Sequence, residues 1–194
     1  MTAIPAPGAP ASGTTLLLLL RMRTFVALIL VVAFFAAAAP NFLSTANVVI
    51  MGKHVALNAI LAIGMTFVII SGGIDLSVGS IVGLCGMVAG WLVLYGVDPG
   101  WGWSVQFNTV EICLIVMAVG VGVGVVNGLL ITRLNVAPFI ATLGTLYVAR
   151  GAALLASDGG TFPNLTGSAE YGSDTFRWLG AGTLLGVPAS IWVL

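Results

Sequence analysis

Charge is what this chain has least of. Six of its 194 residues are Lys or Arg, six are Asp or Glu and one is His, so charged side chains make up 6%. An ordinary soluble domain carries about 25%, and side chains this apolar cannot cover a water-soluble globule of this size. The formal net charge is zero, which removes the electrostatic case for nucleic acid or an acidic substrate as partner. Cysteine is nearly as scarce. Cys85 and Cys113 both fall inside apolar runs, and neither a disulfide framework nor a metal spacing can be read from them. The single histidine, His54, sits beside Lys53 with no second His and no clustered carboxylates. An intramembrane hydrolase or metalloenzyme needs such partners, so an enzyme is not expected. No P-loop or other nucleotide motif is present, and no cofactor is expected.

What the chain does have is apolar residues (59%) and glycine (26 residues), with a mean hydropathy of +1.16. Glycine is frequent in membrane helices because small residues let backbones approach closely where no hydrophobic force drives them together. The expected fold is all-α: a polytopic helical bundle whose solvent is the lipid bilayer.

Residues 2–15 read as a disordered tail of Pro, Ala, Gly, Ser and Thr, with the membrane domain expected over 16–194. Leu16–Leu20 and the cationic pair Arg21 and Arg23 precede an apolar run from Thr24 to Ala39 that stops at Pro40. A positive flank, an apolar core and Ala37-Ala38-Ala39 also fit a cleaved signal peptide. A helix start is expected at Ser44, Thr45 or Asn47. Further spans are expected from Val48 or Val55 to Ile70, Leu76 to Gly96, Val110 to Ile131 and Val136 to Ala156, with a sixth starting near Trp178. Each is close to the roughly 20 residues a bilayer needs. Trp101 and Trp103 suit a headgroup interface, and cytoplasmic Arg21 and Arg23 place the N-terminus inside. Strict alternation then puts Arg133 inside and loops 97–109 and 157–177 outside. Lys53 falls on the outer side, against the rule.

Two segments carry more than hydropathy. In Gly72-Gly-Ile-Asp-Leu-Ser-Val-Gly-Ser80, a glycine can end one helix in the left-handed conformation. Asp75 or Ser77 can cap the next by accepting from exposed backbone N–H groups. An Asp near membrane depth is by default a functional hypothesis, so Asp75 is read either as the cap of a tight turn or as part of a gate. Gly79, Gly83, Gly86 and Gly90 lie on one helix face, and Gly120, Gly124 and Gly128 on another; both stripes predict close helix packing. Asn127, beside the second stripe, is expected to hydrogen-bond across to another helix or to contact a solute. Arg150, late in the fifth span, is near enough to the surface to snorkel.

Met65-Thr-Phe-Val-Ile-Ile-Ser-Gly-Gly-Ile-Asp-Leu-Ser-Val-Gly-Ser80 resembles the signature of the ribose/xylose/arabinose-type permeases of bacterial ABC importers. The stretch from Asn127-Gly128 through Pro138-Phe-Ile-Ala-Thr-Leu-Gly144 to Arg150-Gly151 resembles the same family's second motif. Pro40-Asn-Phe-Leu-Ser44 and Asn58-Ala-Ile-Leu-Ala-Ile-Gly64 also match its phrasing. The similarity runs from about Thr24 to Leu194. It favours a retained first span over a cleaved signal. It implies a multi-pass inner-membrane permease for a monosaccharide or related polyol. That permease pairs with a second permease copy or a paired permease, a cytoplasmic ABC ATPase and a periplasmic sugar-binding protein. On that resemblance Asp75, Ser77, Asn127, Phe139 and Thr142 are the candidate pathway or gating residues. Gly79, Gly83, Gly90, Gly120, Gly124 and Gly128 are the packing residues. The family continues past the position of Leu194 into a segment that docks on the ATPase and into further spans. The chain is therefore expected to be a truncated portion that does not transport alone. An ion-coupled secondary transporter is the competing reading; it would normally show several intramembrane ionisable residues or paired broken helices, and Asp75 is its one good candidate.

Overall fold

The computed structural model describes residues 22–98, 100–162 and 165–192; the expected N-terminal tail lies outside them. The described residues fall into two compact units, one up to Met51 and one from Gly52 onward.

In the first unit, α1 (Arg23–Ala38) is a 16-residue helix with no buried residue. It stops where Pro40 cannot continue it, and Asn41 turns the chain through a left-handed φ of 66°. Phe42 stacks on Phe35. The next helix, α2 (Thr45–Ile70), begins in this unit and is capped by Ser44, whose Oγ accepts from Asn47 N–H at 3.3 Å.

The second unit is built on three helices: α3 (Val78–Leu94), α4 (Thr109–Thr132) and α5 (Pro138–Leu155). Asn108 starts α4 with a capping box. Its Oδ1 accepts from the Val110 and Glu111 amides at 3.0 Å, and Glu111 Oε2 accepts from Asn108 N–H at 2.9 Å. Pro138 opens α5, where its missing N–H costs nothing. The α4–α5 turn passes through Asn135 at φ 53°.

Ala89, Leu92, Val93 and Ile112 form the buried core at the end opposite Arg133. Phe107 and Leu165 fold onto it from the loops, and Phe176 from the start of a short helix that follows them. Those loops are tied down by polar contacts: Thr109 N and Oγ1 both donate to Gly172 O, at 3.2 and 3.1 Å. Gly96 is required there. Its φ is +64°, and a Cβ would stand 2.3 Å from the Val105 carbonyl oxygen, which pairs with Val97 in an isolated bridge.

Among the described residues, three helices are long and apolar enough to cross a membrane: α2, α4 and α5. Two shorter apolar helices, α1 and α3, accompany them. Most of their large apolar side chains are exposed, which is where lipid contacts would fall.

The expected sixth span does not start near Trp178. Residues from there form a short helix, α6 (Phe176–Ala181), then a hairpin of β1 (Thr183–Leu184) and β2 (Val187–Pro188), then α7 (Ala189–Trp192). The reason is local. Leu185 and Gly186 take φ values of 53° and 78°, the signs of a two-residue I′-type hairpin loop. Pro188 then removes a donor that a continuing helix would need. Helix resumes only at Ala189.

Candidate functional site

α3 is short for a mechanical reason. At 1.5 Å per residue its 17 residues span about 25 Å, against about 36 Å for the 24 residues of α4. The deficit lies at its N-terminal end, which starts inside the bundle instead of level with the Arg133 turn. Ser77, immediately before α3, is fully buried. It touches Asn127, about one and a half turns before the end of α4. The carbonyl of Ile74 meets Thr142, about one turn into α5. The turn 71–77 is thus tucked between α4 and α5, below their ends.

Tucking a turn into an apolar bundle demands that its polar groups find partners, and they do. Asp75 Oδ1 accepts from Ser77 N–H at 2.7 Å and from Ser77 Oγ at 2.6 Å. Asn127 Nδ2 donates to Ser77 Oγ at 3.1 Å. Asn127 Oδ1 accepts from Thr145 Oγ1, which also lies 3.1 Å from the Ala141 carbonyl. Thr142 Oγ1 is placed between the carbonyls of Pro138, at 2.8 Å, and Ile74, at 3.2 Å. One polar clasp therefore runs from the turn through α4 to α5, with Asn127 only 5% exposed at its centre.

Beside the clasp lies a cleft of about 360 Å³. Val68 comes from the last turn of α2, and Ser71, Gly73, Ile74 and Asp75 from the turn. Gly124, Asn127 and Thr132 belong to α4, and Pro138 and Thr142 to α5. Its walls are apolar with a few convergent hydroxyl, amide and carboxylate groups, the pattern of a small polar-solute site. No cluster of His, Cys, Asp or Glu suited to a metal occurs among the described residues.

Of the residues singled out from sequence, the structure brings Asp75, Ser77, Asn127 and Thr142 together. Phe139 is 51% exposed and does not line the cleft. Asp75 does accept the N–H at the start of α3, but Ser77 makes no side-chain cap of its own.

The glycine stripes are more open than close packing requires. A Cβ at Gly79, Gly83, Gly124 or Gly128 would meet nothing within 4 Å among the described residues. A Cβ at Gly120 would stand 3.5 Å from the Cys85 Sγ, an ordinary contact, and one at Gly90 would collide with the Phe162 ring. Gly124 and Gly128 instead widen the cleft.

Sequence reasoning missed Thr145, Ser71 and Thr132. For Thr145 a signal existed: it follows Thr142 by three residues, so the two hydroxyls share one face of α5.

Residues 50–180 match the family described as "branched-chain amino acid transport system / permease component". The chain is 35% identical over 176 residues to the ribose import permease protein of Haemophilus influenzae, covering 91% of this chain and 50% of that one. It is 37% identical over 174 residues to the ribose import permease protein of Bacillus subtilis, covering 87% and 48%. The D-allose transport system permease protein of Escherichia coli is 35% identical over 170 residues, covering 87% and 47%. The chain spans about half the length of these curated relatives. No solved structure matches it.

Proposed function

This chain belongs to the branched-chain amino acid transport system permease family, and from that premise we propose that it forms part of the membrane pathway of an ATP-driven importer. The proposed cargo is a monosaccharide or a related polyol. The observation that carries this reading is the polar cleft of about 360 Å³ at the mouth of the tucked turn, held by a clasp that joins three helices. Hydroxyl, amide and carboxylate groups on apolar walls suit a polyhydroxylated, uncharged solute. The family's description names an amino acid, whereas the relatives above name ribose and allose. The cleft favours the sugars, because among the described residues no Lys, Arg or His lines it to receive an α-carboxylate.

The rest of the reading follows from the family premise. The partners are a second permease copy or a paired permease, a cytoplasmic ABC ATPase and a periplasmic binding protein; this chain's sequence carries no nucleotide motif of its own. Residues 16–194 belong to one permease domain in the bacterial inner membrane. The N-terminus and Arg133 face the cytoplasm. About six spans are proposed, with α1 to α5 as the first five. Asp75, Ser77, Asn127 and Thr142 line or hold the pathway, and Phe139 flanks it.

Gene disruption tests this. Loss of ATP-dependent uptake of labelled ribose or allose is the expected result, and in the intact strain that uptake should resist an uncoupler and excess leucine. Uptake that persists under ATP depletion and collapses with an uncoupler would replace it with an ion-coupled mechanism.

A further inference from the structure

Most of the side-chain protons around the cleft at the tucked turn are already committed. A hydroxyl has one proton to give and two lone pairs to receive with. Ser71 Oγ gives its proton to the Val68 carbonyl at 2.8 Å, Thr132 Oγ1 to Gly128 at 2.7 Å and Thr142 Oγ1 to Pro138 at 2.8 Å. All three line the cleft, and what they offer a solute they offer as acceptors.

Asp75 decides which way round Asn127 stands. Its Oδ1 takes the Ser77 hydroxyl proton at 2.6 Å, a charge-assisted bond, so Ser77 Oγ has only lone pairs left for Asn127. The amide must meet it with nitrogen, and Nδ2 does so at 3.1 Å. The amide oxygen is left for Thr145, which has a proton to donate. An amide nitrogen carries two N–H groups, and Ser77 takes one. Among the described residues the second has no partner, and neither does Asp75 Oδ2. Asp75 and Asn127 both line the cleft, and Asn127 is more than nine-tenths buried. A desolvated donor without a partner is costly, and a ligand oxygen would offset that cost.

These two groups are neighbours, since both bond to one oxygen, Ser77 Oγ, yet no hydrogen bond joins the carboxylate to the amide. One negative acceptor and one donor, set side by side without touching, match two hydroxyls on neighbouring carbons.

We propose that the cleft holds its solute by a vicinal diol: one hydroxyl donates to Asp75 Oδ2, and the oxygen of the next accepts from Asn127 Nδ2. This rests on the cleft being the solute site and narrows what that site selects. Ser71, Thr132 and Thr142 take protons from further hydroxyls. An ether or carbonyl solute has no proton to give, and it leaves the carboxylate desolvated and unpaired, which is how a polar site rejects an analogue.

The test uses the full chain in phosphatidylcholine nanodiscs, open on both sides. Cys85 and Cys113 are replaced by Ala, and Ser71→Cys places a probe on the cleft wall. A solute in the cleft slows maleimide labelling of that probe. cis-1,2-Cyclopentanediol should slow it at a concentration lower by about tenfold or more than cyclopentanol requires. The dimethyl ether of the diol, which keeps both oxygens and no proton, should protect no better than cyclopentanol. In Asp75→Asn the amide oxygen stays toward Ser77 and an NH2 faces the cleft, so an acceptor becomes a donor. The diol preference should then fall to about twofold or less, with labelling in the absence of solute unchanged. Equal protection by the diol and cyclopentanol overturns the proposal; where ribose still protects, the sugar reading stands and the diol contact alone falls. Equal protection by the diol and its dimethyl ether, or a preference undiminished in Asp75→Asn, overturns it as well. Labelling that neither ribose nor the diol slows removes the cleft as a solute site and takes both readings with it.

Discussion

At Asn127 one amide serves two helices: Nδ2 donates to Ser77 and Oδ1 accepts from Thr145. Replacing it with Ala strips a partner from each hydroxyl and opens a small void. Ser77 keeps Asp75, and Thr145 keeps Ala141, so neither is wholly orphaned. Asn127→Ala is expected to cost about 1–2 kcal/mol, read as a lower unfolding midpoint in detergent. Thr145→Val should cost less, and the double variant should fall short of the sum because both remove one shared bond; strict additivity would show that the contact carries no energy. Asp75 separates a structural role from a functional one. Asp75→Ala removes an acceptor for two Ser77 donors and is expected to cost about 1–2 kcal/mol. Asp75→Asn retains a carbonyl acceptor but not charge assistance, and should cost about half as much. Stability that holds in Asp75→Asn while uptake in the native system drops would assign the charge to the pathway. Unchanged stability and uptake in both variants would remove Asp75 from clasp and gate alike.

The elements divide by what specifies them. α1, α2, α4 and α5 were legible because punctuation is local: Pro40, Ser44, Ser71-Gly72-Gly73 and Pro138 interrupt long apolar runs and mark their ends within a few residues. The start of α3 was legible only in outline. A helix after Asp75 could be read, but its depth could not, because that depth is set by Asn127 and Thr142, 50 and 68 positions away along the chain. Thr145 stayed hidden for the same reason. The glycine stripes were legible as small-residue faces, yet whether a neighbour fills them is decided by packing, and hydropathy is blind to it. Hydropathy also misread the residues after Trp178, where the Leu185-Gly186 turn is a stronger signal than the apolar average. That turn makes its own prediction. Leu185 is 87% exposed at φ 53°, a conformation that costs a β-carbon residue about 1 kcal/mol or more, whereas Asn-Gly suits it. Leu185→Asn should slow backbone amide exchange at Leu184 and Val187 severalfold. Faster exchange would show that the hairpin does not use this loop.

For the whole molecule, orientation follows from few charges, and the structure sharpens how to test it. The α4–α5 turn carries Arg133, while loops 97–108 and 156–175 hold Asp98, Asp158, Glu170 and Asp174 at the other end of the bundle. Positive residues flanking spans stay cytoplasmic, and acidic ones count for little, so Arg133 bears most of the argument, with Arg23, the first residue of α1, assigned to the same side by alternation. Lys53 and His54 argue against it, since α2 begins at the opposite end. The tucked turn gives the orientation a consequence, because the cleft beside Asp75 opens toward the Arg133 end and would face the compartment where ATP is spent. Replacing Cys85 and Cys113 with Ala and placing single cysteines at Gly102, Asp158 or Asn135 distinguishes the sides. A membrane-impermeant maleimide added to intact spheroplasts should label Gly102→Cys and Asp158→Cys at once. Asn135→Cys should label only after permeabilisation. The reverse pattern would turn the chain over and place the cleft on the outer face, where it could receive solute from a binding protein but not release it to the cytoplasm. A cysteine at Ser71, on the cleft wall, then reports access directly: in the proposed orientation its labelling should also need permeabilisation, and a solute occupying the cleft should slow it.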